Sequence, residues 1–195
     1  MNPIAVIPLK GFAVAKGRLA PVLDQQQRSS LARTTAGHVV RACADGGLDI
    51  MIVTGDEAVA AWAVQHSAIV IPDPSQGLDA ACRVAIEQCD GPWIIVHGDL
   101  PLLDGATMTD ARATLAAGGS VIAPSRDGGT NLLGSHGRIR LSYGPGSFHR
   151  HLAALSNLAT TVHIDIKTLI ELDTPGDLSA AAGLPGGAWL SPFLT

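Results

Sequence analysis

The sequence predicts an α/β protein with a doubly wound, mostly parallel central sheet. Three features carry this expectation. Short apolar runs rich in β-branched residues recur at residues 4–7, 50–53, 68–71, 93–96 and 120–124. Their polarity does not alternate, which suits strands buried on both faces. Between them lie stretches of helical period closed by glycine pairs or proline, and such alternation is what parallel crossovers look like in sequence.

In chain order, residues 4–7 are the first strand, ended by Pro8. The following loop carries Lys10, Lys16 and Arg18 among glycines. It is neither a G-x-G-x-x-G nor a Walker loop, which counts against a dinucleotide oxidoreductase and a P-loop NTPase. Asp24 caps a long helix to Asp45, with Gly46-Gly47 as its stop. Leu31, Thr35, His38, Val39 and Ala42 share one face of it, so His38 reads as a core or boundary histidine. Strand two (50–53), a helix (56–65) with Trp62 as a packing residue, and strand three (68–71) follow. Pro72, Pro74 and Gly77 shape a loop that opens a helix to about Cys89. After the strand at 93–96 come a helix (107–116) and the strand at 120–124.

The regularity then breaks. Residues 125–133 are polar and glycine-rich before turning apolar, and Tyr143 to Phe148 form a shaped loop. Ser147 is expected to cap a helix through Leu155, and residues 161–164 to form a late strand. Thr174 caps a short helix with Pro175 in its first position. The Gly/Pro-rich tail, residues 184–195, is expected to pack loosely on the surface or at a subunit contact of a single domain spanning 1–195.

Composition narrows the function classes. With 47% hydrophobic and 15% charged residues, the chain is no disordered segment. A net charge of -4 argues against a general nucleic-acid binder, while leaving room for a local basic pocket for one anionic ligand. Cys43, Cys82 and Cys89 suit neither a zinc site nor a disulfide framework and read as reduced thiols of a cytosolic protein. The first ten residues lack the layout of a secretory signal, and no apolar run is long enough to span a bilayer. His149 and His151 lie two apart on a helix and point in different directions, a poor metal pair.

Candidate chemistry gathers after the strands. Gly98 and Asp99 follow the central strand directly, and ligands of open α/β sheets bind beyond the carboxyl ends of strands. A carboxylate there can hold a hard cation against phosphate oxygens; the alternative is a plain turn cap. Lys10, Lys16 and Arg18 can wrap a triphosphate, or form a solvated basic loop. Backbone N–H groups at Gly77-Leu78-Asp79 can meet an anion or a base edge, or merely start a helix.

Six motifs then fall in one order: the Lys10/Lys16/Arg18 loop, Gly77-Leu78-Asp79-x-Ala81, Gly98-Asp99-Leu100-Pro101-Leu102-Leu103, Gly128-Gly129-Thr130-Asn131, Tyr143-Gly144-x-Gly146-Ser147-Phe148-x-x-His151, and Leu172-Asp173-Thr174-Pro175-x-Asp177-Leu178. Their order and spacing resemble the 2-phospholactate guanylyltransferase family of deazaflavin coenzyme (F-420) biosynthesis. The resemblance implies a three-layer nucleotidyltransferase fold like that of the molybdenum-cofactor guanylyltransferases. It implies GTP and a phosphorylated three-carbon acid as substrates: 2-phospho-L-lactate, phosphoenolpyruvate or 3-phosphoglycerate. Pyrophosphate would be released and the product passed to a downstream transferase by a cytoplasmic homodimer.

On that reading Asp99 and Asp173, with Glu171 as a third, anchor magnesium, and Lys10, Lys16 and Arg18 offset triphosphate charge. The acceptor lies near Thr130, Gly144 and Ser147, where a hydroxyl, a close-approach backbone and a helix start suit anions. Two departures stand out. Asp79 occupies a position that is usually Asn in the family, and Glu171 replaces the first carboxylate of a usual Asp-x-Asp. The competing readings are a same-fold enzyme for another acceptor, such as molybdopterin or a sugar phosphate, and a non-catalytic nucleotide-binding subunit.

Overall fold

The computed structural model describes residues 2–194. Strands β1 (Ile4–Pro8), β2 (Asp49–Thr54), β3 (Ile69–Pro72), β4 (Trp93–Val96), β5 (Ser120–Pro124), β6 (Thr130–Ser135) and β7 (Thr160–Val162) form one sheet in the order β3-β2-β1-β4-β6-β5-β7. β6 runs antiparallel to both β4 and β5; the other pairings are parallel. Helices α1 (Gln25–Asp45), α2 (Glu57–Gln65), α3 (Leu78–Ile86), α4 (Gly105–Ala116), α5 (Ser147–Ala154), α6 (Ile166–Leu169) and α7 (Pro175–Ala182) complete the layers.

The unalternating polarity of β4 has a direct cause. Ile94 and Val96 face a core with Val39 of α1, Val59 and Trp62 of α2 and Met108 of α4. Trp93 and Ile95 face the opposite core, with Cys82 and Ala85 of α3, Leu133 and Leu155. All four residues of β4 are therefore buried, as a strand covered on both faces requires. Asp24, Asp56, Asp104 and Thr174 each cap a helix by accepting a backbone N–H, which fixes the helix starts close to where the sequence places them.

Residues 130–135, to which the sequence reading assigns no element, form the fully buried strand β6, entered by a turn in which the Asp127 carboxylate accepts from Ser125 Oγ and from Gly129 N (3.1 Å). Two expectations need correction. Ser147 is not the cap of α5; Gly146, in the left-handed region at φ 70°, holds that position. The tail does not pack loosely. Leu190 is fully buried in a third cluster with Leu19, Leu102, Leu172 and Leu178, and Trp189 donates to Pro101 O at 3.2 Å. This cluster braces the segment after β4 from below.

Candidate active site

The carboxyl ends of β1 and β4 open onto a cleft of about 390 Å³, lined by Lys10, Lys16, Arg18, Leu78, His97 and Asp99 among others. The loop after β1 folds as two short 3-10 turns, Phe12–Val14 and Gly17–Leu19, with Lys16 between them in the left-handed region at φ 57°. Non-glycine residues seldom adopt that conformation unless the surroundings hold it. Here the side chain supplies the hold: Lys16 Nζ lies 2.8 Å from Asp99 Oδ2 and 3.9 Å from Asp173 Oδ1, and is only 8% exposed. Arg18 reaches Asp173 Oδ2 at 3.3 Å. Asp99 and Asp173, far apart in sequence, are thus joined at one rim, and a backbone bond from Leu172 N to Asp99 O (3.2 Å) ties their segments.

A second cleft of about 190 Å³, lined by Arg126, Asp127, Glu171 and Asp177 among others, shares Arg18 and Asp173 with the first. His97, Asp99 and Glu171 each offer one ligand atom, and these atoms lie within 4.8 Å of one another. Asp173, expected in that set, stands outside it and pairs with Arg18. Asp99 Oδ1 and His97 Nε2 are buried without a hydrogen-bond partner. An unpaired buried polar atom costs about 1–3 kcal/mol; Asp99 and His97 each carry one and both belong to this group, which fits a divalent cation.

The electrostatics agree. Burial opposes ionisation of Asp99, yet the Lys16 ammonium, the His97 ring and hydrogen bonds together outweigh it and hold the carboxyl below its ordinary range. Burial lowers the His97 pKa, with partial opposition from Asp99. Burial pushes Glu171 up to about 7, and the Asp99 and Asp173 charges add to that.

Behind the cleft lies a buried corner where the expected acceptor residues sit. Thr130 Oγ1 is 3.0 Å from Ser147 Oγ and 3.0 Å from His151 Nδ1, and all three residues are buried. Ser142 N donates to His151 Nε2 at 2.9 Å. That nitrogen must be an acceptor, so the proton of the neutral ring is on Nδ1 and is donated to Thr130. Burial drives the His151 pKa down to about 4, which keeps the ring neutral. Asp79 Oδ1 accepts from Tyr143 N at 2.8 Å, so the unusual carboxylate anchors the Tyr143–Gly144 turn. Arg150 clasps the same turn through Ser142 Oγ (2.8 Å) and Pro145 O (2.7 Å). Gly144, at φ 104°, and Gly77, at φ 91°, hold backbone conformations that a side chain would strain.

Of the residues singled out in the sequence, Lys10, Lys16, Arg18, Leu78, Asp99 and Asp173 line the main cleft and Glu171 the adjoining one. Thr130, Gly144, Ser147, Gly77 and Asp79 line neither. The hydroxyls of Thr130 and Ser147 are buried and hydrogen-bonded to each other. His97 and His151 were given no role in the sequence; only His97's place directly after the strand, two residues before Asp99, was a usable sign.

This sheet is that of the nucleotidyltransferases. The chain superposes on a Desulfovibrio desulfuricans protein described as a nucleotide-diphospho-sugar transferase with a TM-score of 0.78 at 16% identity, covering 98% of this chain and 95% of that one. It also superposes on a nucleotidyl transferase from Methanothermobacter, with a TM-score of 0.62 at 14% identity and 99% and 98% coverage.

Within that class the chain belongs to the family described as "Guanylyl transferase CofC like", which it matches over residues 3–182. It is 32% identical over 194 residues to the phosphoenolpyruvate guanylyltransferase of Roseiflexus castenholzii, covering 95% of this chain and 90% of that protein. It is 32% identical over 179 residues to the 2-phospho-L-lactate guanylyltransferase of Methanocaldococcus jannaschii, covering 89% and 79%. Among the described residues no helix is long and apolar enough to cross a membrane.

Proposed function

We propose that this protein transfers GMP from GTP to the phosphate of a phosphorylated three-carbon acid, releasing pyrophosphate. The observation that carries the reading is the rim where Lys16 joins Asp99 to Asp173 above a cleft with further cationic side chains. Family membership supports guanosine as the nucleotide and a phosphorylated acid as the acceptor.

The chemistry asks for little proton handling. A phosphate monoester has a second pKa near 6 and is mostly a dianion at neutral pH. One of its oxygens attacks the α-phosphorus of GTP, the bond to the β-phosphate bridging oxygen breaks, and pyrophosphate leaves with that electron pair. No base is needed. The obstacle is repulsion: two unit charges about 4 Å apart interact by about 1 kcal/mol in water and about 4 kcal/mol at an effective dielectric of 20. Lys10, Lys16 and Arg18 offset the triphosphate, and Leu78 with the start of α3 borders the nucleotide. Asp99 and Glu171, with Asp173 beside them, would hold a divalent cation, read from the family resemblance as magnesium. That cation would supply the remaining positive charge between the phosphates. The acceptor's anionic groups lie toward the Gly144–Ser147 turn at the start of α5, where the helix dipole favours negative charge. On the same reading the protein is a cytoplasmic homodimer that hands its product to a downstream transferase.

The test is a mass-spectrometric assay with GTP and the three acids, singly and in competition. A guanosine-diphospho-acid with stoichiometric pyrophosphate is expected. Product only with molybdopterin or a sugar phosphate would favour the same-fold alternative, and no product with any acceptor would favour a binding subunit.

A further inference from the structure

Three segments that bring charged groups to the cleft rim also place apolar neighbours in one buried cluster. Arg18 is followed by Leu19, Asp99 lies shortly before Leu102, and Leu172 sits between Glu171 and Asp173. Leu19, Leu102 and Leu172 share that cluster with Leu190, a fully buried residue of the C-terminal 3-10 turn Ala188–Phe193. We propose that this turn is a clamp that holds the three segments in register, and that Trp189 is the residue of the clamp that positions Asp99. The proposal rests on the reading of the cleft as the site of guanylyl transfer. The clamp lies beyond residues 3–182, where the chain matches its family.

The backbone after β4 shows why such a clamp matters. Residues 100–103 are buried, yet they belong to no strand or helix whose ladder would satisfy their carbonyls. The oxygens are met one at a time. Asp99 O accepts from Leu172 N at 3.2 Å, Leu100 O from Leu103 N at 3.4 Å, and Pro101 O from Trp189 Nε1 at 3.2 Å. Backbone polar groups away from water need such partners. The path of the chain that carries Asp99 therefore depends on where Leu172 and Trp189 stand.

Trp189 is itself held from two sides. Its ring stacks on that of His38, with 5.5 Å between centroids and 24° between planes, so it rests on the 21-residue helix α1. On the other side the tail folds back on α7. Leu184 N donates to Ala181 O at 3.1 Å and Gly187 N to Leu184 O at 2.9 Å. A Cβ at Gly187 would collide with Ala181 O, so only glycine permits this approach. Helix α7 starts directly after Asp173 and is capped by Thr174. The chain thus leaves the rim through α7 and returns beneath it to grip Pro101.

The test compares full-length wild type with Trp189→Phe, which keeps a ring against His38 and removes the N–H. A small misplacement of a reacting group is costly in rate, so kcat for GMP transfer should fall about ten-fold, with the Michaelis constant for GTP within about two-fold. Lys10 and Leu78, which line the cleft, stand on other segments and keep their places. Hydrogen exchange followed by NMR should show the Leu172 amide exchanging about ten-fold faster in the variant, with β1 and β2 unchanged. In wild type, where no variant need fold, the Leu172 and Leu190 amides should open as one unit as urea rises. An unchanged kcat, a Leu172 amide as protected as in wild type, faster exchange throughout the chain, or a tail that opens alone overturns the proposal. Faster Leu172 exchange in a protein that transfers GMP to no acid leaves the clamp standing and removes the proposed function. Transfer at equal rates by both forms does the reverse.

Discussion

Two polar clusters meet on either side of the Tyr143 ring, which lies 5.5 Å from the His97 ring and 4.7 Å from the His151 ring. On the cleft side the groups are ionisable, and buried atoms such as Asp99 Oδ1 and His97 Nε2 lack partners. On the other side, Thr130, Ser147 and His151 are uncharged and hydrogen-bonded to one another or to backbone. A saturated network fixes a shape, whereas an unsaturated one awaits a ligand. The contrast leaves the first cluster with unfilled bonding capacity and the second with a fixed shape that holds the Tyr143–Gly144 turn.

The largest expected effect breaks the cleft side alone. Asp99→Asn removes the charge that meets Lys16 and should lower guanylyl transfer at least about 100-fold, with the melting temperature within a few degrees of wild type. Pyrophosphate release and calorimetry check this, and near-normal turnover would remove the role of Asp99. Lys16→Met comes next. It should weaken GTP binding by about ten-fold or more while tightening divalent-ion binding without nucleotide, because Lys16 Nζ sits on Asp99 Oδ2. Titration calorimetry would show both signs; weaker binding of both would mean that Lys16 builds the site rather than competing within it.

The corner should answer differently. His151→Phe leaves Ser142 N and the hydroxyl pair short of a partner and should cost about 1–3 kcal/mol of stability. The Michaelis constant for the acid should rise more than that for GTP. This cost carries a pH signature. The His151 pKa falls from 6.5 in the unfolded chain to about 4, through burial first, with Asp79 opposing and Arg150 and His97 assisting. Below 6.5 the unfolded chain binds more protons there, so the stability linked to His151 is full above 6.5 and is lost as pH falls toward 4. Its size is about 3 kcal/mol, at about 1.4 kcal/mol per pKa unit. Urea unfolding between pH 4 and 7 should therefore show a steeper acid loss in wild type than in His151→Phe; parallel curves would place the titration elsewhere. Asp79→Asn should do least, about 1 kcal/mol or less, since an amide oxygen still accepts from Tyr143 N.

The difference between the clusters also explains what the sequence conveyed. The strand at Trp93–Val96, the capped helices and the rim residues Lys16, Asp99 and Asp173 were legible because period, caps and strand ends are local signals. β6 was not, because Gly128 and Gly129 announce a loop, and burial by β4 and β5 on either side is a tertiary matter. The inward turn of the Thr130 and Ser147 hydroxyls depends on His151, 21 residues from Thr130. Leu190 and Trp189 looked like an idle tail because their partners, Leu102 and Pro101, lie far back in the chain.

On the proposed mechanism, acidic side chains from the ends of two distant segments hold the cation that lets two phosphates approach. Anomalous scattering from crystals grown with Mn²⁺ and α,β-methylene-GTP locates that cation. A manganese peak coordinated by Asp99 and Glu171 and by triphosphate oxygens is expected. A peak bound to the triphosphate alone, with both carboxylates turned away from it, would rule the mechanism out.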